Sequence, residues 1–310
     1  MSQQARAYMF AGMAILLWST VASAFKLSLQ WLDPLQLLLF ANAVSIIVLF
    51  SVLAIQGRLH RLRNYVRTDL LRLAGLGLLN PFLYYVVLLQ AYDLLPAQQA
   101  QPLNYTWAIT LALLSIPLLG QRIGLKGFAA LIISYIGVVV IATEGRPFAL
   151  EFTSLTGVLL ALGSTVIWAL YWIYNTRDTG DPVAGLFVGF CFSLPLIIVT
   201  TLVFSELTWP PWQGLVGAVY VGMFEMGLAF VFWLHALKLS STTAKVGNLI
   251  FLAPFLSLVF IHFLVGETIH PATFVGLIFI VAGNIVQQWP ARRPGSGQPP
   301  GSGQPRTRST

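Results

Sequence analysis

The chain has 310 residues, of which 57% are hydrophobic and only 9% charged, where a soluble domain carries about 25% charged residues. So few charges exclude a water-soluble fold of this size. The net charge of +7 therefore bears on how loops are placed about a bilayer rather than on nucleic acid, and with Cys191 as the single cysteine an intramolecular disulfide is excluded.

The first apolar run, 7–29, contains LLWSTVASAFK, Leu16 to Lys26. Arg6 ahead of it and the small-x-small Ala22-Ser23-Ala24 would also suit a cleavable signal. The run continues past that point through Phe25 and Leu27 to Trp31, longer than a signal core, and reads as a retained helix. Further runs cover 35–56, 70–92, 97–119, 123–143, 155–176, 183–205, 212–237, 244–265 and 271–289. Each approaches or exceeds the ~20 residues that cross the hydrocarbon core, and none has the ~10-residue alternation of a barrel strand. The expected fold is an all-α integral membrane protein of ten transmembrane helices. Pro102, Pro117, Pro195 and Pro254 lie inside spans and are expected to kink them. The tail after 290 repeats PGSGQP, has almost nothing apolar to pack, and is expected to be disordered over 291–310.

Orientation follows from the loop cations. With the N-terminus inside, all but Arg146 and Lys26 of the 17 Lys and Arg fall in inner segments, including the cluster Arg58, Arg61, Arg63, Arg67 and Arg72. Asp33, Asp93, Glu144, Glu151, Glu206 and Glu267 fall outside. Both termini are therefore expected in the cytoplasm, with the chain a multi-pass protein of the plasma (inner) membrane. The halves also resemble each other. LQAYDLLPAQQA (89–100) overlays LHALKLSSTTAK (234–245), and 118–140 overlays 264–286, pairing Gly120 with Gly266 and Gly137 with Gly283. Trp18 has a looser counterpart in Trp168. An odd number of spans per copy forces the second copy to cross in the opposite sense, an inverted repeat. The expected divisions are a first five-helix repeat, 1–147, and a second, 148–290.

Sequence signatures of chemistry are absent. GQRIGLKG lacks P-loop spacing, there is no H-E-x-x-H or G-x-S-x-G, and the four histidines do not cluster. No enzyme activity, cofactor or metal is expected. Polar and aromatic residues inside spans say more. Glu225, in VGMFEMGLAF, is an ionisable group near the middle of span 8, where charge costs roughly 2.5–3.5 kcal/mol. It is either a coupling or amine-binding group facing a cavity, or a fastener between helices. Lys26 is a second coupling candidate, or a lysine that snorkels to the interface. Trp168, Tyr171, Trp172 and Asn175 share one face of span 6; Asn104, Trp107 and Ala108 share one in span 4; Asn248 accompanies Phe251 in span 9. The expected substrate-binding set is Trp18, Tyr84, Asn104, Trp107, Trp168, Tyr171 and Asn248. Gly214, Ala218 and Gly222 form a small-x3-small track for close helix contact.

Ten spans in two halves, LLWST in span 1 and the GE plus G-x6-G ending of the second half resemble the EamA group of the drug/metabolite transporter superfamily. Within it, LWST and LNYTW are similar to the YddG-type exporters of aromatic amino acids. The resemblance implies a secondary transporter that exports aromatic and other neutral amino acids, or similar small metabolites, from the cytoplasm through a central cavity by alternating access. Its expected partners are a small-molecule substrate and the lipid bilayer, with no nucleic acid and no required oligomer. The alternative is a membrane-embedded enzyme or a receptor for a small amphipathic ligand.

Overall fold

A computed structural model describes residues 1–120, 124–146, 148, 153–175, 180–206, 208–240, 246 and 248–288. The expectations for Lys245, the 240–247 loop beyond Ser240 and the tail after 290 fall almost wholly outside these residues. Among the described residues the regular structure is helical. Seven helices are long and apolar enough to cross a membrane: α1 (Gln3–Ser28), α2 (Pro34–Ile55), α3 (Arg67–Leu94), α4 (Ala97–Leu119), α6 (Leu155–Asn175), α7 (Pro182–Phe204) and α8 (Trp212–Leu239). Three apolar helices are shorter: α5 (Leu125–Ala142), α9 (Leu249–Val265) and α10 (Pro271–Gln288). Gly120 ends α4 and Gly266 ends α9, each with positive φ, 66° and 80°. The two glycines paired by the sequence overlay thus take the same left-handed cap, which an L side chain would strain.

Two helices start by one device. Asp33 accepts from the backbone N–H groups of Leu35 and Gln36 at the head of α2, and Asp181 accepts from Val183 and Ala184 at the head of α7. In both, proline follows at the first helical position, where its missing N–H costs nothing.

The packing pairs α5 with α10 and α2 with α7, while α3 and α4 both lie on α6, and α8 and α9 both lie on α1. Small residues let backbones meet. A Cβ at Gly137 would strike the Gly276 carbonyl, and one at Gly283 would strike Ser134 and the Ala130 carbonyl, across the α5–α10 pair. A Cβ at Gly77 would strike Gly189 across α3 and α7; one at Gly222 would strike the Ala41 carbonyl across α8 and α2. The Gly214, Ala218, Gly222 track therefore faces α1 and α2, as a small-residue track should.

Loops at one end of the bundle are tied together. The Asp33 carboxylate accepts from Ser205, Gln36 donates to the Glu206 carbonyl, and Gln99 donates to Glu144. Glu267 accepts from the Ala97 and Gln98 N–H groups, at 2.8 and 3.1 Å, and so caps α4 from the far half of the chain. Arg58 pairs with Asp181 at 3.5 Å at the opposite end. Large apolar side chains cover the periphery, among them Ile47, Val199, Leu202, Phe128 and Phe263, all more than half exposed. Apolar inside and outside together are what a bilayer-embedded bundle requires.

Candidate functional site

Three interrupted helices build the central site. In α3 the chain widens to π-helical turns over Leu78–Leu83, and Asn80 leaves helical geometry with φ −141° and ψ 118°. Pro81 lacks an N–H and crowds the residue before it out of the helical region. In α8 the widening runs over Val221–Ala229, with Glu225 at its centre. Position 80 overlays position 225 in the alignment that joins 89–100 to 234–245, so the two widened segments correspond. In α4 the helix ends at Asn104 and restarts at Trp107, with Tyr105 and Thr106 making a tight turn between. Asn104, Trp107 and Ala108 therefore do not share one continuous helical face. Pro102 sits just before this turn, whereas Pro117 and Pro195 lie within continuous helices.

These breaks present polar groups inward. The Tyr85 hydroxyl donates to Glu225 Oε1 at 3.1 Å. Glu225 is only 7% exposed, and its Oε2 has no partner among the described residues. Tyr84 donates to Asn104 Oδ1 at 3.3 Å, and Asn104 Nδ2 donates to Ser164 at 2.9 Å, which joins α3, α4 and α6. Tyr92 bonds to Gln101 across the α3–α4 hairpin.

Around these groups lies an aromatic shell. The Trp168 ring lies 4.6 Å from Tyr84, 5.8 Å from Trp172 and 5.9 Å from Phe230 by ring centres. Trp18 sits edge-on to Phe230 at 5.7 Å and 5.5 Å from Trp233. The cavity between them has a free volume of about 90 Å³. Its walls come from α1, α3 and α4 on one side and from α6, α8 and α9 on the other.

Of the residues expected to bind substrate, Trp18, Tyr84, Asn104, Trp107 and Trp168 meet at this cavity, and Glu225 joins them. Tyr171 does not line it; the ring is buried behind Trp168, stacked at 5.6 Å. The side chain of Asn248 lies outside the described residues, while Ile250 from the same segment lines the wall. Lys26 is not a wall residue either. Its ammonium donates to the Tyr92 and Leu95 carbonyls, at 2.8 and 2.9 Å, closing the C-terminal end of α3. Lysine there serves a helix end whose carbonyls lack partners.

Sequence reasoning missed Tyr92, Gln101, Tyr105, Phe230 and Trp233 as wall residues, and Asn80 and Pro81 as the break in α3. The Asn-Pro pair inside an apolar run was the available signal for the break. Asn80 is 1% exposed and both its amide atoms lack partners among the described residues, so the position corresponding to Glu225 also holds an unsatisfied polar group.

The sequence model of the EamA-like transporter family matches two stretches, residues 5–143 and 155–286. An uncharacterized transporter of Clostridium kluyveri is 24% identical over 292 residues, 91% of this chain and 92% of its own. The aromatic amino acid exporter YddG of Ancylobacter novellus is 28% identical over 290 residues, 90% of this chain and 96% of its own. A solved crystal structure, 24% identical in sequence, superimposes with a TM-score of 0.65 over 91% of this chain and 96% of that one, a likeness of fold.

Proposed function

The chain belongs to the EamA-like transporter family, and on that premise we propose that it is a secondary carrier exporting aromatic and other neutral amino acids, or similar small metabolites, from the cytoplasm. The observation that carries this reading is the cavity itself. Six helices enclose it, three from each half of the chain, and its wall is mostly aromatic with a few inward polar groups. Flat rings offer a substrate ring apolar area and edge or face contacts worth ~0.5–1.5 kcal/mol beyond burial. The similarity to an aromatic amino acid exporter supports the same substrate class.

Transport by alternating access needs two arrangements of nearly equal energy, which an inverted repeat supplies because each half can adopt the other's conformation. Two five-helix repeats, 1–147 and 148–290, with both termini cytoplasmic and the 291–310 tail outside the fold, are part of the proposal. The packing supports them. Exchanging the halves turns the α3–α6 contact into α8–α1 and the α4–α6 contact into α9–α1, and both members of each pair are present. The two matches to the family model divide the chain in the same place.

In this reading Glu225 couples transport to protons, and Trp18, Tyr84, Asn104, Trp107 and Trp168 contact substrate. Purified protein in proteoliposomes, supplied with labelled phenylalanine or alanine with and without a pH gradient, tests the proposal. Uptake of phenylalanine above empty vesicles is the expected result. Absence of uptake for both solutes under both conditions would refute it.

A further inference from the structure

We infer that the cavity recognises its ligand through an ammonium group and disfavours a free carboxylate, so that aryl-alkyl amines and carboxyl-masked amino acids bind it more tightly than the parent amino acids. The inference rests on the reading of this cavity as the transport site and narrows its substrate class.

Glu225 is the one ionisable acid on the wall, and its Oε2 has no donor among the described residues. An unsatisfied carboxyl oxygen in a low-dielectric site calls for a donor, and a cationic N–H group satisfies it most strongly. Among the described residues no Lys, Arg or His lines the cavity to balance an anionic ligand group. Lys26, the cation within α1, has its ammonium on the carbonyls of Tyr92 and Leu95. The other wall groups that could meet a ligand carboxylate are neutral. Asn104 is held between Tyr84 and Ser164, Gln101 is bonded by Tyr92, and the Trp172 indole N–H has no partner among the described residues but carries no charge. The tyrosines nearest the carboxyl, Tyr84 and Tyr85, are likewise neutral donors. A zwitterion would thus bring a carboxylate into a largely apolar site whose wall has no cation to offset it, and a buried charge without a partner is costly.

The rings favour the same charge. Trp18, Trp107, Trp168, Trp172 and Trp233 surround the cavity, and indole faces attract cations through their quadrupole, most strongly when water is excluded.

Phenethylamine, phenylalaninamide, phenylalanine and 3-phenylpropionate share one ring and differ in charge. Their competition with labelled phenylalanine uptake, and their direct binding by calorimetry to the purified protein, test the inference. Phenethylamine and phenylalaninamide are expected to bind about tenfold more tightly than phenylalanine, and 3-phenylpropionate at least tenfold more weakly. Glu225→Gln, which keeps the size and a hydrogen-bonding group, is expected to shrink the amine advantage to within about threefold. Phenylalanine binding as tightly as the amine, or 3-phenylpropionate competing equally, would overturn the inference while leaving the carrier reading intact. A Glu225→Gln protein that keeps the full amine advantage would overturn the role of Glu225. If that variant fails to fold, the order of the four probes on the unaltered protein decides the matter. If none of the four binds and no phenylalanine is carried, the transport reading fails and the inference with it.

Discussion

Glu225 has one oxygen on the Tyr85 hydroxyl and the other without a partner among the described residues, in a helix segment already widened out of regular α geometry. Coupling requires that this carboxyl gain and lose a proton during the cycle. Its titratable neighbours are the tyrosines at 84, 85, 92 and 105. Glu225→Gln cannot release a proton, so transport by that variant is expected to be independent of pH where the unaltered protein is not. Rate measurements from pH 5.5 to 8.5 in proteoliposomes check this, and an unchanged profile in the variant would remove the coupling role. The tryptophans make a separate prediction. Trp168→Ala and Trp107→Ala are each expected to reduce phenylalanine transport about 2- to 10-fold more than alanine transport, from the loss of ring contacts. Equal losses for both solutes would indicate general damage to packing instead.

At the scale of elements, the α5–α10 pair depends on glycine. Gly137 and Gly283 meet backbone carbonyls of the partner helix, whereas a Cβ at Gly163 in α6 meets nothing within 4 Å. Valine at 137 or 283 is therefore expected to destabilise by about 1–3 kcal/mol and lower the midpoint in a detergent melt, while Gly163→Val leaves it nearly unchanged. A shared effect at all three positions would mean that the β-branched residue itself, and not the helix contact, is responsible. Glycine at 120 and 266, and the Asp-Pro starts of α2 and α7, show how far local chemistry sets these elements. Removing the Asp181 cap by Asp181→Ala should cost about 1 kcal/mol, measurable by the same melt; a larger loss would be traced to the Arg58 pair at 3.5 Å.

For the whole molecule, three loops at one end of the bundle carry carboxyl groups that bond to other segments, those of Asp33, Glu144 and Glu267, and the other end carries the arginine cluster. In the proposed orientation, which rests on the cation asymmetry, the arginine end faces the cytoplasm. A reporter fused after residue 290 is expected to read cytoplasmic, and one inserted at Gly145 external. A cytoplasmic signal at Gly145 would break the assignment of the first half. The Glu267 cap on α4 adds a tie between the halves at that outer end, so any motion that opens it must first release the Ala97 and Gln98 N–H groups.

Much of this was readable from the chain itself. A bilayer imposes one dominant requirement, that every backbone polar group be satisfied within the segment, and the sequence answers it with apolar runs whose ends match the helices within a few residues. Glycine and Asp-Pro punctuation is equally local, since each acts through its own φ or its own missing N–H. Trp168 could be singled out by helical spacing, because periodicity reports a shared face, and Trp18 by its overlay on Trp168. What periodicity cannot report is which face meets which. Tyr171 has the same spacing as Trp168 and yet stacks behind it, and Lys26 turns to the carbonyls ending α3 instead of the cavity. Tyr92, Phe230 and Trp233 reach the wall beyond the breaks in α3 and α8, and Gln101 and Tyr105 reach it at the break in α4. Rotation about a helix axis is decided by contacts between residues far apart in the chain, and only the packed structure holds them.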